Sequence, residues 1–296
     1  MSRGTMPLTH ILALGGEQVR VLEWPGEAPT LVAWPGLGGT AEYFGMLADS
    51  IPFRLVALDP PGVGRVSTGL PDRVTVDRVW PDALRFGAEH SGWVVAVGHS
   101  WGGYLARLAL GQPELPVAGA VLLDGGYFPW VDPKRPLAEE IAQGREFMAQ
   151  AVTEDADEAV AIEQARLEAT GVDVSLAVVA ALRSGYVRQD DGRFRLAVHP
   201  AAFEAAMQSL AEVPVENYLD TAGPTLLFAA VGMDGVPGRD EDFHAQQQRM
   251  LERFRRGPEA RLVMLPGVSH EVLPEAQAIV GAAITAWLGD SRFRCR

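Results

Sequence analysis

Cysteine is almost absent from this chain: of 296 residues only Cys295, beside the C-terminus, is one. A disulfide framework and any multi-cysteine zinc site are thereby excluded. Positive charge is scarce as well, with 25 lysine and arginine residues against 38 aspartate and glutamate, a formal net charge of −13. Lys134 is the only lysine and Asn217 the only asparagine, so arginine supplies nearly all the cationic charge. A chain this acidic lacks the electrostatic footprint that binding a phosphate backbone needs, so nucleic acid is excluded as a partner. The lysine shortage reads as codon bias, because thermophilic adaptation runs toward more lysine. Long apolar runs are also missing. The stretch 11–14 after Arg3 ends at Gly15-Gly16, too short for a secretory signal. The run 176–182 falls far short of a bilayer span. The expectation is a soluble cytoplasmic protein with no membrane span, acting on a small molecule.

What remains is an ordinary globular composition, 48% hydrophobic and 21% charged, enough to bury a large core. Residues 8–14 and 18–24 read as a hairpin turning at Gly15-Gly16. Strands follow at 31–34, 53–58, 93–97 and 117–123. Between them lie helical patterns: one after Gly39, with Phe44, Leu47 and Ala48 on one face; one over 73–90, which Pro81 is expected to kink or break; and one over 101–110. Continuous apolar strands alternating with helices imply a mostly parallel sheet covered on both faces. From Gly125 to Gly223 the pattern changes to helical segments at 153–169, 172–184 and 200–212, with a turn at Asp190-Asp191-Gly192. Alternation then resumes with strands at 225–230 and 261–265 and helices at 240–255 and 274–288. The expected organisation is an α/β core from residues 1–124 and 224–296, with a helical cap, 125–223, inserted after the sixth strand.

One motif carries chemistry. Gly98-His99-Ser100-Trp101-Gly102 is a G-x-S-x-G pattern that a buried strand enters and a helix leaves. A serine on so sharp a strand-to-helix turn takes a strained backbone and presents its hydroxyl at the C-terminal edge of the sheet. Gly98 and Gly102 keep the two arms of the turn from colliding. A serine hydroxyl needs a base to become a nucleophile. Of the six histidines, His270 follows the last strand by five residues in a glycine-containing loop on the same edge. His10 and His90 lie away from that edge, His199 and His244 fall in or beside helices, and His99 should point away from the serine. His270 is therefore the expected general base.

With this elbow the chain resembles the α/β-hydrolase superfamily, over most of its length outside 125–223. Pro35-Gly36-Leu37-Gly38-Gly39 stands where that family carries its oxyanion loop, with Pro35 where many members have histidine. Residues 59–67 follow its D-x-x-G-x-G-x-S stretch closely, with Ser67 one position beyond the pattern's serine, and Pro266-Gly267-Val268-Ser269-His270 matches its histidine loop. The resemblance implies a Ser-His-Asp triad with the acid between Ser100 and His270 in chain order. Asp124 leaves the strand 117–123 directly, as the acid does in some members. Asp234 lies after the strand 225–230, where most members keep theirs, but the usual spacing from the strand-opening proline reaches Met233. A carboxylate fixed at a strand end is better organised than one in the loop Gly232–Gly238, so Asp124 is favoured and Asp234 is the alternative.

The backbone N–H groups of Leu37 and Trp101 are the implied oxyanion hole. Gly36, Trp34, Phe128 and Trp130 are candidate substrate-binding residues, and Tyr43, Phe44 and Trp101 are further aromatics that serve either a pocket wall or the core. The acidic segment with Glu154, Asp155, Asp157, Glu158, Glu163 and Glu168 is a solvated face. Its sharper alternative is a subsite for a substrate amino terminus, because the chain also resembles prolyl aminopeptidases of the superfamily in the tryptophan after its nucleophile. No cofactor is implied, whether metal, nucleotide or flavin, since H-E-x-x-H and G-x-x-x-x-G-K-[ST] are both lacking. The expected function is hydrolysis of a small carboxylic ester, lactone or amide through an acyl-enzyme. The alternatives are a prolyl-type aminopeptidase, or a lyase or small-molecule receptor on the same fold.

Overall fold

The computed structural model describes residues 6–64, 76–127, 136–212, 223–231 and 241–289. Strands β1 (Leu8–Leu14) and β2 (Glu17–Trp24) form the hairpin, whose turn glycines Gly15 and Gly16 adopt φ of 61° and 91°. Six more strands complete an eight-stranded sheet: β3 (Glu27–Trp34), β4 (Phe53–Leu58), β5 (Val94–His99), β6 (Val117–Leu123), and, beyond the insertion, Thr225–Val231 and Ala260–Pro266. β1 and β2 are antiparallel, as are β2 and β4, and all the other pairings are parallel.

Both faces of the sheet are covered, and the strands show why. In β5, Val94 and Ala96 belong to one core while Val95 and Val97 belong to the other. Side chains two apart share a face, so an uninterrupted apolar strand feeds two cores at once. A short 3₁₀ turn at Ala41–Phe44 and α1 (Gly45–Ala48) bury Phe44, Leu47 and Ala48 on one face. The opposite face holds α2 (Val76–Ala88) and α3 (Trp101–Leu110). Of the kink or break expected at Pro81, the break does not occur: α2 runs through it. Val79, Trp80, Ala83 and Leu84 are buried in the core, and Trp80 Nε1 donates to the Leu105 carbonyl at 3.1 Å. That anchorage outweighs the one backbone hydrogen bond that a proline removes.

The insertion between β6 and the next sheet strand comprises α4 (Leu137–Gln150), α5 (Ala156–Ala169), α6 (Leu176–Ser184) and α7 (Pro200–Glu212). It is not wholly helical. The Asp190-Asp191-Gly192 turn joins an antiparallel pair, β7 (Tyr186–Arg188) and β8 (Phe194–Leu196), strands of three residues that are too short to show a period. After it come β9 (Thr225–Val231), α8 (Glu241–Arg255), β10 (Ala260–Pro266) and α9 (Val272–Leu288). The order across the sheet is β1-β2-β4-β3-β5-β6-β9-β10. The C-terminal ends of β3, β5, β6 and β10 thus open on one edge. Among the described residues no helix is long and apolar enough to cross a membrane.

Candidate active site

Among the described residues two that are not glycine have positive φ, and both stand on that edge: Ser100, directly after β5, at φ 52° and ψ −117°, and Asp124, directly after β6, at φ 43°. Such strain persists only where the surroundings impose it. Ser100 N–H donates to the Leu123 carbonyl at 3.0 Å, and Asp124 N–H to the Phe228 carbonyl at 2.8 Å, tying the elbow to β6 and β6 to β9. The elbow glycines are required by close approach. A Cβ on Gly98 would lie 1.9 Å from the Gly102 carbonyl oxygen, and one on Gly102 would lie 2.0 Å from that of Trp34. Gly102→Ala is therefore expected to cost more than about 3 kcal/mol, since backbone rather than a flexible side chain must move. Urea unfolding checks this, and an unchanged midpoint would contradict it.

His270 is held by its loop. Ser269 donates through both its N–H and its hydroxyl to the Glu275 carboxylate, the former at 2.9 Å. The His270 carbonyl accepts from His99 Nε2 at 2.9 Å. On its other side the His99 ring stacks on Tyr43, with centroids 4.6 Å apart. Burial holds the His99 imidazole below the usual histidine range, so it serves as a neutral donor. The His270 ring places Nδ1 2.8 Å from Asp124 Oδ2. Asp124 is fully buried, and its Oδ1 accepts from the Tyr127 hydroxyl at 2.9 Å and the Ala230 N–H at 3.0 Å. An ionised carboxylate only accepts, so Nδ1 carries hydrogen and Nε2 is left as the basic nitrogen of the neutral ring.

Ser100 and His270 line one cavity of about 490 Å³ with Gly36, Leu37, Tyr43, His99 and Glu271 from the core. The opposite wall comes from the insertion: Glu140, Gln143, Gly144 and Phe147 of α4, and Phe203 and Met207 of α7. The volume is in the range of small-molecule sites. Trp101 opens α3, where the first N–H groups have no intrahelical acceptor. Its side chain is buried edge-on to Trp34.

Trp34 requires a correction as a substrate-binding residue. Its side chain is completely buried, edge-on to Trp80 at 5.3 Å and to Trp101 at 5.8 Å. The alternation along β3 puts it with Val32 in the core beneath α2 and α3, away from the cavity. Phe44 is likewise core. Phe128, Trp130 and Asp234 lie outside the described residues. None of the six acidic residues of the 154–168 segment lines the cavity. Asp155 caps α5, Asp157 pairs with Arg183, and Glu163 pairs with Arg166. The residues that sequence reasoning missed are those of α4, a helix it did not identify, together with Tyr127, Gln247 and Glu271. Phe203 and Met207, four apart in a segment already read as helical, did carry a signal as a shared face.

Residues 31–282 match the family model described as the alpha/beta hydrolase family. No curated protein matches the chain significantly in sequence. Among solved structures, an E-2-(acetamidomethylene)succinate hydrolase is 22% identical, with a TM-score of 0.71 over 96% of this chain and 100% of that one. An esterase of M. tuberculosis is 19% identical, with a TM-score of 0.66 over 97% of this chain and 94% of its own. An N-formylmaleamic acid deformylase from Pseudomonas putida is 17% identical, with a TM-score of 0.63 over 94% of this chain and 100% of its own. At these identities the likeness is one of fold.

Proposed function

Because the chain belongs to the alpha/beta hydrolase family, we propose that it is a serine hydrolase that cleaves a small carboxylic ester, lactone or amide through an acyl-enzyme. The observation that carries this is the 2.8 Å contact between His270 Nδ1 and Asp124 Oδ2, on the wall of the cavity that Ser100 lines. In the proposed cycle His270 Nε2 takes the Ser100 hydroxyl proton as the oxygen attacks the carbonyl carbon. Asp124 holds the ring in the tautomer that leaves Nε2 free, and its charge offsets the imidazolium that forms. The tetrahedral oxyanion is met by the N–H groups of Leu37 and Trp101, each worth about 3 kcal/mol in the transition state. His270 returns its proton to the leaving alcohol or amine, and a water repeats the sequence on the acyl-serine, releasing the acid and restoring Ser100.

The insertion, taken as residues 125–223, acts as a cap that selects the substrate. Phe147, Phe203 and Met207 offer it an apolar wall opposite the nucleophile. The aminopeptidase alternative draws no support from the acidic 154–168 face, none of whose six carboxylates lines the cavity and three of which, Asp155, Asp157 and Glu163, are engaged in a cap or an ion pair. The test is labelling with a fluorophosphonate probe followed by peptide mapping. Modification at Ser100 that vanishes on denaturation supports the proposal, and an unmodified Ser100 in folded protein would favour a receptor.

A further inference from the structure

Behind the proposed triad lies a buried hydrogen-bond chain that the cycle above does not use. We propose that Tyr127 and Gln247 are positioning residues, a directional relay of donors from α8 that fixes the Asp124 carboxylate for His270. This inference rests on the triad just proposed. Asp124 is fully buried, so its charge depends on donors from the protein. Oδ2 faces His270, and Oδ1 receives the Tyr127 hydroxyl and the Ala230 N–H.

The direction of the Tyr127 bond is determined one step further back. Gln247 Nε2 lies 2.8 Å from the Tyr127 hydroxyl oxygen and 3.0 Å from the Ala230 carbonyl oxygen. A carbonyl can only accept, so the atom facing both must be the amide nitrogen, which has two hydrogens to give. One goes to Ala230 and the other to Tyr127. The phenol oxygen therefore accepts from Gln247, and its single hydrogen is committed to Asp124. Ala230 closes the circuit, accepting from Gln247 through its carbonyl and donating to Asp124 through its N–H. Tyr127 is completely buried and Gln247 nearly so, which shields the chain from competing water. The segment after β6 and β9 thus each donate to one carboxylate, and α8 holds both donors through Gln247. Rotation of the carboxylate would break its bonds to Tyr127, Ala230 and His270.

The test compares Tyr127→Phe, Gln247→Met and the double variant on a neutral p-nitrophenyl ester. Phenylalanine keeps the ring and deletes only the hydroxyl. Tyr127→Phe is expected to lower kcat by about tenfold or more, the scale of one hydrogen bond to a charged group, with KM within about twofold. Gln247→Met should lower kcat less, because the phenol can still find Asp124. Added to Tyr127→Phe it should cost less than it does alone, since there is no hydroxyl left to direct and only its bond to the Ala230 carbonyl remains to be lost. Losses that multiply, or a Tyr127→Phe rate within about twofold of the wild type, would overturn the relay. If Gln247→Met does not fold, the Tyr127→Phe rate alone decides. A second readout separates this inference from the proposed function. The His270 Nδ1–H proton, bonded to Asp124, is observable by NMR whether or not Ser100 reacts. Its resonance should move in Tyr127→Phe, and an unmoved resonance overturns the relay. A wild-type protein that hydrolyses no ester, with Ser100 inert to fluorophosphonate, would instead end the hydrolase proposal while the resonance still tests the relay.

Discussion

Ser100→Ala is expected to lower kcat for p-nitrophenyl acetate by on the order of 10⁴-fold or more while leaving the fold intact. The loss is large because the hydroxyl is the atom that bonds to substrate in the proposed cycle. What survives is the contribution of the oxyanion donors and of binding. The fold should survive because alanine fits wherever serine does, and at φ 52° it is no more strained than the residue it replaces. Thermal unfolding within a few degrees of the wild type should accompany the lost turnover. A rate within about tenfold of the wild type would mean that another group attacks the substrate.

The second large effect separates the two candidate acids. Asp124→Asn is expected to cost about 10⁴ in kcat, because an asparagine amide facing Nδ1 favours the wrong ring tautomer. It would also disturb Oδ1, where Tyr127 and Ala230 now donate. Asp234→Asn should cost less than about tenfold, since Asp124 already stands 2.8 Å from His270. Kinetics on the two purified variants check this. The reverse pattern would transfer the acid role to Asp234, and two mild losses would leave the triad without an acid.

Much of this molecule was legible in its sequence, because its signals were of the kinds that are local. Uninterrupted apolar strands such as 117–123 report burial on both faces, and a glycine pair around a serine reports a tight turn. The parts that were not legible depend on tertiary context. Pro81 reads as a helix breaker from its own chemistry, and only the burial of its neighbours Val79, Trp80, Ala83 and Leu84 shows why α2 continues. Trp34 looks like a pocket aromatic by its place before the oxyanion loop, and only the register of β3 turns it toward Trp80. The β7–β8 pair, three residues a side, offers too few positions for any period. Gln247 sits within a run of three glutamines in a polar helix. Nothing local marks it as buried against Tyr127, 120 positions away in the chain.

The central claim, that Ser100 becomes acylated, is tested most directly by rapid acid quench of the enzyme mixed with a p-nitrophenyl ester, followed by intact mass and peptide mapping. A mass increase equal to the acyl group is expected, located on Ser100 and absent from Ser100→Ala. Steady turnover of the ester with no adduct on Ser100 in any quenched sample, or an adduct on a different residue, would contradict it.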